Sequence, residues 1–120
     1  MKKIYLAIAA FAFSQSLSAQ TFTADEASKH VGETVTICGK IFGGRFFETS
    51  KNCPTLLNMG APYPSSPITI MIPGDIRTKL GYAPETELKE KIICVHGEII
   101  LFKERPEIVV NDISQMEITK

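Results

Sequence analysis

Tryptophan is absent from this 120-residue chain, and histidine occurs only at His30 and His96. Two histidines and three cysteines leave little material for a metal centre or a histidine-based relay. The chain also lacks H-E-x-x-H, the glycine-rich phosphate loop ending in Lys-Ser/Thr, and G-x-S-x-G. Zinc-peptidase, phosphate-loop and α/β-hydrolase chemistries are thereby set aside. Thirteen carboxylates are present, but no acid and base pair stands out by spacing. The expectation is a protein that is not an enzyme, with no metal and no cofactor. Excess charge of one sign is missing too, since 13 Lys plus Arg stand against 13 Asp plus Glu. A broad basic surface of the kind that drives non-specific DNA binding is therefore not expected. Eight glycines and seven prolines are too few for a low-complexity segment. An apolar fraction of 44% with 22% charged residues fits one globular domain.

A long apolar run is lacking as well. The longest, Ile4 to Phe13, has ten residues, about half of the roughly 20 that span a bilayer. Lys2 and Lys3 precede it, and the small or polar residues Ser14 to Ala19 follow. This is the order of a secretory signal peptide. Cleavage is expected after Ala19, with cleavage after Ser18 as the alternative because Leu17 fits poorly three positions before the first cut. No cysteine lies near either cut, which disfavours a lipid anchor. The expected organisation is a signal peptide at 1–19 and one domain at 20–120, periplasmic or secreted, with no membrane span. Losing Lys2 and Lys3 leaves 11 basic against 13 acidic residues, a net charge of −2.

Along the remaining chain, Thr23-Ala-Asp-Glu26 fits a capping box opening a short helix from about Ala24 to His30. Glu33 to Phe42 alternates Val35, Ile37 and Ile41 on one face with Thr34, Thr36, Cys38 and Lys40 on the other, the pattern of a first strand. Gly39 falls on its inner face and is expected to bend it. A polar stretch, Gly43 to Pro54, separates it from a short apolar run at Thr55 to Asn58. Gly60 to Pro67 is proline-rich loop, and Ile68 to Ile72 is a third strand bounded by Pro73-Gly74. Ile76 to about Leu88, interrupted by Gly81 and Pro84, is expected to form short helical turns. Lys91 to Leu101 makes a fourth strand with Ile93, Val95, Ile99, Leu101 and Gly97 on the inner face. Phe102 to Pro106 is a tight connection, Glu107 to Val110 a fifth strand, and Ile113 to Ile118 finishes the chain. Five strands with a helical element between the third and fourth is the connectivity of an all-β, five-stranded Greek-key OB-fold barrel.

Several phrases strengthen that reading. They are His30-Val-Gly-Glu-Thr-Val-Thr-Ile-Cys-Gly-Lys-Ile41, Leu56-Leu-Asn-Met-Gly60, Ala61-Pro-Tyr-Pro-Ser-Ser-Pro-Ile-Thr-Ile70, Cys94-Val-His-Gly-Glu-Ile99 and Pro106-Glu-Ile-Val-Val-Asn-Asp-Ile-Ser-Gln115. Together they resemble small secreted bacterial OB-fold domains related to the tRNA-anticodon-binding-like nucleic-acid modules, over about Ala24 to Ile118. The resemblance implies a single-stranded nucleic acid, or another oligomeric ligand, on one barrel face. OB-folds also bind peptides, saccharides and partner proteins, so the fold leaves the ligand open.

Ligands of OB-folds lie across the second and third strands, gripped by the loops joining strands 1 to 2 and 4 to 5. Here those loops carry Arg45, Phe46, Phe47 and Lys51, and Phe102, Lys103 and Arg105. Rings stack on bases and cations follow phosphates. The same residues also read as plugs, with Phe46 and Phe102 closing the barrel ends and the charges solvated, since Glu48 and Glu104 share the loops. Cys38 and Cys94 fall on the outer faces of strands 1 and 4, neighbours in such a barrel, which makes a disulfide between them the favoured pairing among those three cysteines allow. Cys53 is then a free thiol, a buried small apolar residue or a site of intermolecular pairing. His96 shares the face of Cys38 and Cys94, but a zinc site there would compete with the bridge and has no established spacing. The functional expectation is an exported OB-fold module for single-stranded nucleic acid or a similar polyanion. The alternative is a cell-envelope OB-fold that binds a peptide, saccharide or protein partner.

Overall fold

Residues 20–119 are described by the computed structural model, and the signal-peptide reading of 1–19 lies outside the described residues. Alternation builds most of the core. Val35, Ile37 and Ile41 point inward from β2 (Thr34–Phe46), Leu57 and Met59 from β3 (Thr55–Met59), and Ile68, Ile70 and Ile72 from β4 (Ile68–Ile72). Ile93 and Val95 of β5 (Ile92–Glu98) and Ile108 of β7 (Arg105–Val109) close the same core, all of them at most 4% exposed. Three short strands complete the set: β1 (Thr21–Thr23), β6 (Ile100–Phe102) and β8 (Met116–Ile118).

The hydrogen-bonded order is β6-β7-β4-β3-β2-β5-β8, with β1 parallel to β2 on the side. The structure is therefore mostly β and OB-like, but it corrects the expectation of five strands in a closed barrel. Among the described residues there are eight strands, and the ladder runs from β6 to β8 without closing. The reason lies at Ile99. Its N–H donates to the Glu33 carbonyl at 3.0 Å and its carbonyl accepts from the Gly32 N–H at 2.7 Å, so the expected fourth strand is cut in two. Beyond the cut the alternation fails. Leu101, expected inside, is 55% exposed.

β2 serves two partners. Its first part, Thr34 to Lys40, pairs antiparallel with β5, and its last part pairs with β3 after a register shift between Ile41 and Gly44. The first strand thus runs on to Phe46, and Arg45 and Phe46 are strand residues rather than loop residues. The register shift after Ile41 and the break at Ile99 fall beyond Gly39, expected to bend the strand, and beyond Gly97. Gly39 and Gly97 are instead needed for space, because a Cβ on either would stand 2.8 Å from Met59 Cγ or Ile108 Cγ2.

Cys38 and Cys94 are directly opposed in the β2–β5 ladder and joined by a disulfide, with Cα atoms 4.0 Å apart. A bridge between residues 56 apart in sequence is worth about 4 kcal/mol in the chain-entropy account. It engages both sulfurs of the zinc set that could be drawn with His96. The His96 Nδ1 lies 3.1 Å from the Thr36 hydroxyl. Cys53 is a free, half-buried thiol whose Sγ donates to the Glu48 carbonyl at 3.4 Å.

The N-terminal helix spans Ala24–His30 and is of the 3₁₀ type. The Glu26 carboxylate reaches back, accepting from the Thr23 N–H at 2.9 Å and hydroxyl at 3.2 Å, bonds that hold its pKa below the usual carboxylate range. Between β4 and β5 lie α1 (Gly74–Leu80) and α2 (Pro84–Glu87), separated at Gly81 in the left-handed region and burying Ile76 and Leu88. No helix among the described residues is long and apolar enough to cross a membrane.

Candidate functional site

Packing the apolar positions inward leaves the alternate residues on the outer face of β3, β4 and β7. The register sets Asn58, Thr69 and Glu107 side by side on three adjacent strands. Neighbouring strands lie about 4.8 Å apart, so an amide, a hydroxyl and a carboxylate form a polar row roughly 10 Å long. Leu56 lies one step along on β3 and pairs across to Arg45 of β2. These residues floor a groove of about 500 Å³, within the range of small-ligand sites.

Three aromatic residues line the groove with them. Phe47 follows β2, Tyr63 belongs to the proline-rich loop before β4, and Phe102 ends β6. Tyr63 is 71% and Phe102 53% exposed, so neither ring is spent on the core. Each of the three has its own cation. Arg45 lies 5.0 Å from the Phe47 centroid, Arg105 5.5 Å from Tyr63, and Lys103 5.5 Å from Phe102. Such distances permit cation–π attraction of about 0.5–1 kcal/mol at exposed sites.

Lys103 and Glu104 form the two-residue turn between β6 and β7, with φ of +53° and +65°. This is the conformation that a tight two-residue hairpin turn demands at both of its positions. Arg105 has a second commitment. Its Nη2 donates to the Pro64 carbonyl at 2.9 Å and to the Ser66 carbonyl and hydroxyl at 3.3 Å. The loop that bears Tyr63 is therefore tied to β7. The Ser66 hydroxyl in turn donates to Asn58 Oδ1 at 3.4 Å.

Glu107 is the anomaly of the floor. It is 6% exposed, and among the described residues its carboxylate has no hydrogen-bond or ion-pair partner. Among the described residues no side-chain oxygen is both fully covered and unpaired, so the Glu107 oxygens open onto the groove. Burial pushes its pKa above the usual carboxylate range.

Of the residues singled out from the sequence, Arg45, Phe47, Phe102, Lys103 and Arg105 line this groove together. Phe46 and Lys51 do not. Phe46 faces another cavity, beside α1, with the Arg77 guanidinium 3.6 Å from its ring centroid. Lys51 is exposed in the loop between β2 and β3. Sequence reasoning passed over Asn58, Thr69, Tyr63 and Glu107. The first two were open to discovery, because Leu57, Met59, Ile68 and Ile70 must face inward and so push them out.

No family model matches the chain, and no curated protein matches its sequence. Solved structures do match it. One is a chain assigned as an aspartyl-tRNA synthetase from Leishmania major Friedlin, at a TM-score of 0.54 and 15% identity, covering 93% of this chain and 23% of that one. Another is the structure of yeast Stn1 and Ten1, at a TM-score of 0.58 and 16% identity, covering 87% of this chain and 64% of the other. The fold is OB-like. This chain spans less than a quarter of the first neighbour and just under two thirds of the second, so the likeness speaks for architecture alone.

Proposed function

We propose that this chain is a non-enzymatic, exported OB-fold binding module that takes single-stranded nucleic acid along the groove beside β3, β4 and β7. One observation carries the reading: three aromatic rings, each attended by a cation, line one groove on the outer face of an OB-like sheet. Rings with open faces stack on bases at about 1–3 kcal/mol per base, while Arg45 and Lys103 have donors for phosphate oxygens. The floor offers hydrogen bonds to base edges. One of the structural neighbours is by name a tRNA synthetase, which agrees with the reading. Export is supported by the basic, apolar, small-residue order of 1–19 and by the Cys38–Cys94 bridge, since such bridges persist in oxidising compartments.

Fluorescence anisotropy with labelled ten-nucleotide single strands of mixed sequence, RNA and DNA, tests the proposal. Binding should weaken with salt at a slope of about −1.4 in log K against log salt, from roughly −0.7 for each of two phosphate contacts. No binding at low salt would overturn it. Affinity for a neutral oligosaccharide or a peptide instead would move the groove to the other ligand classes that OB-folds accept.

A further inference from the structure

The groove floor holds a feature that stacking and phosphate contacts leave unused. Glu107 presents two acceptor oxygens into the cavity, beside the Thr69 hydroxyl, and no donor among the described residues meets them. A largely buried carboxylate that only the groove opens to is poorly solvated, and donors brought by a ligand would relieve that. The rim narrows the choice of ligand. Arg45, Lys103 and Arg105 stand around the opening, so a cationic side chain entering from outside meets repulsion, whereas a neutral base attached to a phosphate strand does not.

Given the nucleic-acid reading of this groove, on which the inference rests, we propose that Glu107 reads the Watson–Crick edge of a single base and selects guanine. The chemistry follows from what each edge offers. A carboxylate accepts and never donates, and it accepts best from two parallel N–H groups. Guanine presents N1–H and the 2-amino group side by side. Adenine and cytosine each place one amino group beside an acceptor ring nitrogen, and uracil places its single N–H between two carbonyls. Unstacked bases of single strands expose these edges, and Phe47, Tyr63 and Phe102 supply the faces that hold such a base.

The test compares labelled ten-nucleotide oligouridylate with versions carrying guanine, inosine, adenine or cytosine at one central position, using the protein with its disulfide formed. A bidentate pair predicts that guanine tightens binding about 5- to 150-fold over uridine. Adenine and cytosine should not, and inosine, which keeps N1–H but lacks the 2-amino group, should fall between. Glu107→Gln should lose the guanine preference, read as the ratio of guanine to uridine affinity within the variant, since removing the carboxylate charge also shifts its affinity for every strand. Inosine gives an answer on the unaltered protein, whatever the variant does to folding. Equal affinity for all the oligonucleotides, or a guanine preference that survives Glu107→Gln, would overturn the proposal and leave the groove reading standing. Binding of none of them would overturn both, as would capture of a labelled Gly/Ser decapeptide with a central Arg in their place.

Discussion

Phe46 and Phe47 are consecutive in the chain and each has an arginine near its ring, but the two arginines are employed differently. Arg77 lies 3.6 Å from the Phe46 centroid with both terminal nitrogens of its guanidinium engaged. It donates to the buried Thr55 hydroxyl at 2.8 Å and to both oxygens of Glu85 at 2.7 and 3.3 Å. Arg45 lies 5.0 Å from the Phe47 centroid, is exposed, and forms no ion pair among the described residues. A stacked cation tied to two further side chains holds elements together, here β2, β3, α1 and α2. A stacked cation with no hydrogen-bonding side-chain partner among the described residues leaves its donors open to solvent or, on the proposed reading, to phosphate. The same contrast divides the carboxylates. Glu85 is paired, and Glu107 has no partner among the described residues.

Arg77→Ala should break this comparison most sharply. It strands Glu85 and a hydroxyl with no exposure, and should cost about 3 kcal/mol, measured as a lower urea midpoint, with oligonucleotide affinity unchanged where the variant is folded. A loss below about 1 kcal/mol would show that the closed network is ornament. Tyr63→Ala should do the reverse, with about 5- to 150-fold weaker binding and stability within about 0.5 kcal/mol of the parent. If stability fell and affinity held, Tyr63 would belong with the framework.

The smallest effects are those of pH, and their signs are opposite. Hydrogen bonds from Arg77 lower the Glu85 pKa, so its contribution is present above its unfolded value near 4.3 and is lost as pH falls through its lowered folded value. Glu85→Gln should flatten that acid limb. Burial raises the Glu107 pKa, so the cost of its charge is absent at low pH and appears as pH rises through the raised folded value. Glu107→Gln should therefore stabilise at pH 7, the gain shrinking toward pH 4. Urea midpoints at the two pH values decide it. Parallel profiles for the two variants would erase the distinction between paired and unpaired carboxylates.

Where local pattern and pairing geometry agree, the sequence is legible. Ile68–Ile72 is bounded by Pro67 and Pro73-Gly74 and forms β4 over those five residues. Cys38 and Cys94 sit on predicted outer faces and meet in register. Where a residue's environment depends on a distant partner, the pattern is silent. Leu101 reads as inward by alternation, but Gly32 and Glu33 capture the Ile99 backbone and the phase is lost after it. Glu107 opens the run Glu-Ile-Val-Val, which reads as a strand regardless of where its first residue points. Tyr63 sits in Ala-Pro-Tyr-Pro, a stretch with no period to read, and only the prolines on either side hint at a ring held out on a stiff stem. Phe46 and Phe47 read alike in sequence, since only the extension of β2 to Phe46 sends them into different cavities.

The bonds from Arg105 to Pro64 and Ser66 bear on the entropy of the unbound protein. Fixing the backbone of one residue costs about 1–2 kcal/mol in lost conformational freedom. A loop anchored to β7 at two of its residues has met part of that cost during folding, so a ligand arriving at Tyr63 finds the ring already in place. On the proposed reading, the guanidinium would strengthen binding without touching the ligand, through preorganisation.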